Sequence, residues 1–119
     1  MQISIVITVL VSLIMTVSSA PIEARGAMSG DGTFYTVGLG SCGSTNSDSQ
    51  MVAALSGSLM GSKSYCGKSV TIKGPSGSVT VKVVDTCPEC AKGDIDLSPS
   101  AFRKIASLDA GRVPITWSL

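Results

Sequence analysis

The 119-residue chain contains no histidine. That absence excludes Ser-His-Asp and Cys-His nucleophilic catalysis as usually built, and histidine-ligated zinc sites with them. Aromatic residues make up only 4% of the sequence, so any stacking platform for a sugar ring must be small. Neither sign of charge dominates: nine Lys and Arg stand against eight Asp and Glu, a formal charge of +1. Such a chain has no large field to steer nucleic acid or an acidic membrane, and neither is expected as a partner. The single asparagine, Asn46, is followed by Ser47-Asp48, which leaves no N-glycosylation acceptor.

What is present divides sharply in character. Ile3 to Val17 is a nearly unbroken apolar run, shorter than the roughly 20 residues of a membrane-spanning helix. It ends in Val17-Ser18-Ser19-Ala20, small residues of the kind a signal peptidase accepts. Residues 1–20 therefore read as a signal peptide, with Pro21 moving the cut slightly downstream, and the mature protein is expected to be secreted and extracellular. Residues 21–29 read as a disordered lead-in. The remainder is one small domain, near the size at which covalent staples supplement the core. Four cysteines, Cys42, Cys66, Cys87 and Cys90, suit two disulfides in an exported chain, and spacing alone leaves three pairings open.

Along the domain, Thr33 to Val37 is a β-rich pentad between glycines and predicts a first strand. Gly38 to Gln50 is a polar, turn-forming loop. Met51 to Leu55 has apolar residues at helical spacing and predicts a short helix. Val70 and Ile72, then Val79, Val81 and Val83, alternate with polar residues about Pro75-Ser76-Gly77, the pattern of a hairpin with one buried face. Ser98 as N-cap, Pro99 at the first helical position and Gly111 beyond the end predict a second helix. Val113 to Trp117 closes the sheet. Short strands without a repeating βαβ pattern point to a small barrel or sandwich.

Aspartates are the informative polar residues. Strict alternation puts Asp85 on the face of Val79, Val81 and Val83, at the end of a buried surface that suits a general acid; the alternative is an aspartate accepting backbone N–H bonds in the turn before Cys87-Pro88. Asp94 and Asp96 precede the Ser98-Pro99 helix, whose N-terminus favours negative charge. Cys87-Pro88-Glu89-Cys90 has redox spacing, but redox motifs open a helix in a βαβ fold, so a structural disulfide is favoured over a redox or four-cysteine metal site. No cofactor or metal is expected. Tyr35 and Trp117 are candidates for a sugar-stacking surface.

Several motifs resemble, in order, those of the first domain of expansins: Gly32-Thr33-Phe34-Tyr35, Gly40-Ser41-Cys42-Gly43, Val52-Ala53-Ala54-Leu55-Ser56, Tyr65-Cys66-Gly67-Lys68, Val83-Val84-Asp85-Thr86-Cys87-Pro88, Asp94-Ile95-Asp96-Leu97-Ser98 and Ala101-Phe102. The resemblance runs from about Gly30 to Leu119. It implies a mainly β, six-stranded double-psi β-barrel with two short helices, the barrel of expansins, rare lipoprotein A, barwin and family 45 endoglucanases. The single-domain form is most similar to fungal loosenin-type or riboflavin-aldehyde-forming-enzyme-like proteins. By that resemblance Asp96 is the functional acid, Asp85 and Thr33 are its polar neighbours, and the disulfides join Cys42 to Cys66 and Cys87 to Cys90.

The departures are as informative. Where family 45 endoglucanases place a second catalytic aspartate, this chain has Thr36-Val37-Gly38, and an inverting glycosidase needs two carboxylates. The aromatic-faced second domain of expansins has no counterpart among these motifs. The leading expectation is a monomeric, non-hydrolytic, secreted protein that loosens cell-wall polysaccharide of the cellulose or chitin class, with Asp96, Asp85, Thr33, Tyr35 and Trp117 at the groove. Two alternatives stand beside it. One is an inhibitor of secreted cysteine proteases or an effector-type binder of a host protein, acting through loops such as Ser44 to Ser49; the other is a lytic transglycosylase, which needs one carboxylate.

Overall fold

A computed structural model describes residues 27–61 and 65–119. The expected signal peptide and residues 21–26 of the lead-in lie outside the described residues. Six strands form a closed barrel: β1 (Ala27–Phe34), β2 (Val52–Ser56), β3 (Ser69–Gly74), β4 (Gly77–Cys87), β5 (Ile95–Leu97) and β6 (Val113–Ser118), in the spatial order β1-β5-β2-β4-β3-β6. The pairs β1–β5 and β2–β4 are parallel and the others antiparallel. This is the expected double-psi barrel, with two short helices, α1 (Gly57–Met60) and α2 (Pro99–Phe102), and a 3-10 turn at Leu108–Ala110. Among the described residues no helix is long and apolar enough to cross a membrane.

The hairpin follows its pattern: Val70, Ile72, Val79, Val81 and Val83 all point inward, with Gly74 paired to Gly77 across the turn. Phe102, Leu55, Ile95, Leu97 and Ile105 complete a core in which each is fully buried. Ser98 caps α2, its hydroxyl accepting the amide of Ala101 at 3.1 Å. The helix lasts only one turn, and Gly111, at φ 69°, closes the later 3-10 turn instead.

Three expectations are corrected. The first strand begins at Ala27, pairing with Ser118, so part of the presumed lead-in belongs to the barrel, and it ends at Phe34 rather than Val37. Glycines inside it are required by packing, since a side chain at Gly30 would strike the backbone of Gly93. Met51 to Leu55 is not a helix. Val52–Ser56 is a central strand, parallel to β4 and antiparallel to β5, buried at every position. A strand covered on both faces has no alternation to distinguish it from a buried helix.

The third correction concerns β4. Ala53 pairs with Val83 but Ala54 pairs with Asp85, so Val84 is an extra residue, a β-bulge. A bulge shifts all following side chains to the opposite face. Asp85 therefore leaves the inner face of Val79, Val81 and Val83 and points outward.

Candidate functional site

Directly paired residues share a face of a sheet, and the outer face carries one such row across four strands. Thr33 on β1 pairs with Asp96 on β5, Asp96 with Ala54 on β2, and Ala54 with Asp85 on β4. The inward neighbours of these residues, among them Phe34, Ile95, Leu97, Ala53 and Leu55, belong to the core or pack against it. The row thus rests on a rigid wall.

At one end, Thr33 Oγ1 donates to Asp96 Oδ1 at 2.9 Å. Burial pushes the Asp96 carboxyl above its ordinary range, the Thr33 hydrogen bond opposes this, Glu89 adds to it, Arg112 opposes, and Asp85 adds a little more. Desolvation outweighs the hydrogen bond, so Asp96 holds its proton to higher pH than a solvated aspartate. Such a group, held in one orientation by Thr33, can donate to a glycosidic oxygen.

At the other end, Asp85 Oδ1 accepts the amides of Ser41 at 2.9 Å and Thr86 at 2.7 Å. Asp85 is thus the anchor of a loop, the backbone-accepting role that was the alternative reading of its position. The Gly40-Ser41-Cys42-Gly43 motif becomes intelligible here. Gly40 passes against the bulged Val84 carbonyl where a Cβ would collide, Ser41 N–H reaches Asp85, and Cys42 N–H satisfies the Val84 carbonyl at 3.2 Å. The disulfides are Cys42–Cys66 and Cys87–Cys90, the pairing the resemblance implies. The first ties this loop to the chain before β3, and the second closes the turn that carries Glu89.

A cavity of about 230 Å³ opens beside Asp96, lined by Thr33, Phe34, the Cys87–Cys90 turn with Glu89, Asp94 and Arg112. Asp94 does not serve the helix that follows it. Its two oxygens accept the amides of Asp31 at 2.8 Å and Ala91 at 3.1 Å, clamping β1 to the turn. Arg112 Nη1 meets Asp31 Oδ2 at 3.0 Å on the rim. Arg112 escapes sequence reasoning because it lies in no periodic element or motif, and Glu89 because the signal of its Cys87-Pro88-Glu89-Cys90 motif is carried by the two cysteines. A wider depression of about 690 Å³ lies on the β1–β6–β3 wall, lined by Ser29, Lys73, Pro114 and Thr116 among others. None of the four residues of the row lines it, so the chemistry points to the smaller cavity.

Tyr35 leaves β1 with its amide on the Leu97 carbonyl at 3.0 Å. Its hydroxyl is buried without a partner among the described residues. Burial, then the charges of Asp85, Asp96 and Asp48, raise the phenol to about 12. Trp117 is different. It is 3% exposed, packed in the core, with Nε1 donating to the Gly93 carbonyl at 2.8 Å. Expected as a sugar-stacking ring, it offers solvent no face. No group of three or more Cys, Asp or Glu among the described residues is arranged to hold a metal ion.

The closed barrel, with its row of polar residues on the outer wall, defines a double-psi β-barrel. A family model described as lytic transglycolase matches residues 27–117. The chain is 34% identical over 110 residues to an EG45-like domain containing protein of Citrus jambhiri, covering 81% of this chain and 84% of that protein. A mutant Clavibacter michiganensis expansin, solved in complex with cellohexaose, superposes with a TM-score of 0.71 at 31% identity, covering 76% of this chain and 48% of that one. The chain thus spans about half the length of that expansin. A Streptomyces papain inhibitor superposes with a TM-score of 0.70 at 36% identity, covering 77% of this chain and 92% of that one. This chain belongs to the expansin-like double-psi β-barrel family.

Proposed function

We propose that the protein is secreted, binds a β-linked cell-wall polysaccharide of the cellulose or chitin class along the Thr33–Asp96–Asp85 row, and loosens its packing without hydrolysis. The observation that carries this reading is the Thr33–Asp96 hydrogen bond at the mouth of a cavity on the rigid barrel wall. The cellohexaose complex of the related expansin supports the class of ligand. Thr36-Val37-Gly38 supply no second carboxylate after Thr33, and Asp94 is engaged by two backbone amides. Pull-downs on cellulose, chitin and xylan, with swelling of the fibres as readout, test the proposal. Asp96→Asn should abolish loosening with an unchanged circular dichroism spectrum. Full activity in that variant refutes the groove, and reducing ends released in a Glu89-dependent manner refute the non-hydrolytic part. Anhydro sugar ends in mass spectra would instead indicate lytic cleavage.

A second reading, protease inhibition, is favoured by one feature. Leu39 is 74% exposed on a tongue closed by the Leu39–Thr45 bridge and the Gly40–Ser44 hydrogen bond. The Cys42–Cys66 disulfide braces it. A rigid loop that displays one apolar side chain suits insertion into a protease cleft. Papain inhibition that Leu39→Asp removes would establish it; no inhibition at micromolar protein would dismiss it.

A further inference from the structure

Charge is unevenly distributed on this nearly neutral chain, and the imbalance falls on the cavity beside Asp96. Three carboxylates, Glu89, Asp94 and Asp96, line it against one guanidinium, Arg112. That guanidinium is already paired with a fourth carboxylate, Asp31. Asp85 and Asp48 extend the same sign past Tyr35, close enough to act on its phenol. Arg112 is the only base that lines the cavity among the described residues; Lys92 is exposed on the turn after Cys90, and Lys82 stands on β4 beside Val52, one pleat from the row. Asp109 is the only described acid placed elsewhere, on the 3-10 turn.

The cavity itself stands on the barrel row and the Thr33–Asp96 pair; its charge bears on which glycan it accepts. We infer that the groove selects a β-linked polymer of amino sugars with free amines, as in deacetylated chitin, over one that carries uronates. The inference deepens the glycan reading above and rests on it. Glu89 is exposed and has no hydrogen-bond or ion-pair partner among the described residues, so an ammonium group gains a contact there without breaking one. A uronate would face like charge from Glu89 and Asp94, with Arg112 already engaged. A neutral sugar neither gains nor loses by it. The space, about 230 Å³, far exceeds the roughly 30 Å³ share of one water, so a substituted ring position has room to enter.

The test is calorimetry on the full protein with three tetramers of one length: β-1,4-linked glucosamine, its N-acetylated counterpart, and galacturonate. Titrations run near pH 5.5, above ordinary carboxyl pKa values of about 4. The glucosamine tetramer should bind several-fold more tightly than the N-acetylated one, and the galacturonate not at all. Raising salt from about 0.01 to 0.15 M, which shortens the screening length from about 30 to 8 Å, should erode that preference. Glu89→Gln should weaken glucosamine binding about two- to five-fold, the scale of one exposed ion pair, while Asp109→Asn leaves it unchanged. Equal or tighter binding of the N-acetylated tetramer overturns the inference and leaves the glycan reading intact. Equal losses in both variants also overturn it, because the attraction would then be diffuse. If none of the tetramers binds, the glycan reading itself falls.

Discussion

Replacing Gly40 with alanine should unseat the loop that holds Asp85. The added methyl meets the Val84 carbonyl oxygen, a backbone atom at a bulge that cannot swing away as a flexible side chain would. The loop must lift, and two hydrogen bonds go with it: Ser41 N–H to Asp85 at 2.9 Å and Cys42 N–H to Val84 at 3.2 Å. A bond to a charged acceptor contributes about 1.5–3 kcal/mol and a neutral one about 0.5–1.5 kcal/mol. Water reaches the partly buried Asp85 and replaces part of the first, so a loss of about 2–3 kcal/mol is expected. At about 4–8 °C per kcal/mol for a domain of this size, Tm should fall by roughly 10–20 °C. Gly38→Ala is the control. Nothing lies within 4 Å of a Cβ built there, and its effect should stay within about 0.5 kcal/mol. Thermal melts by circular dichroism with the disulfides intact compare the two variants. Indistinguishable melts would refute the account of the bulge and of the Gly-Ser-Cys-Gly loop.

Further outcomes follow from the same contacts. Because burial raises the folded-state pKa of Asp96, the folded protein holds this proton more tightly than the unfolded chain, and stability falls as pH rises from the ordinary aspartate value through the raised one. Asp96→Asn removes that loss, so its Tm relative to wild type should be higher at pH 7 than at pH 3 in calorimetric scans; the opposite trend would contradict the burial argument. Tyr35→Phe deletes a buried hydroxyl with no partner and should raise the urea midpoint, by up to about 1 kcal/mol of stability, whereas a fall would reveal a bond to that oxygen. Replacing Cys42 and Cys66 with alanine opens a link of sequence separation 24 and should cost about 3 kcal/mol by chain entropy. Replacing Cys87 and Cys90, of separation 3, should cost about 2 kcal/mol but weaken glycan pull-down more, since that link holds the Glu89 turn. Urea titrations and pull-downs of both double variants check the order.

Some of the molecule was legible because its signals are local. The β3–β4 hairpin shows its inward valines at period two, and Ser98-Pro99 announces the start of α2, because both patterns depend only on near neighbours in the chain. The order of the motifs likewise carried the barrel and the pairing of its four cysteines. The sequence could not show that Val52–Ser56 is a strand, since a segment buried on both faces has no polar side to display its period. Nor could alternation locate Asp85: the bulge at Val84 is compensated by Cys42, 42 positions earlier in the chain, and without that partner the register of β4 has no reason to slip. Trp117 is chemically fit for sugar stacking, and only packing against the core decides otherwise. The acidic cavity is tertiary throughout, joining Thr33 to Asp96 across 63 residues and Asp31 to Arg112 across 81. Charge that sums to near zero along the chain is sorted to one wall only when the barrel closes.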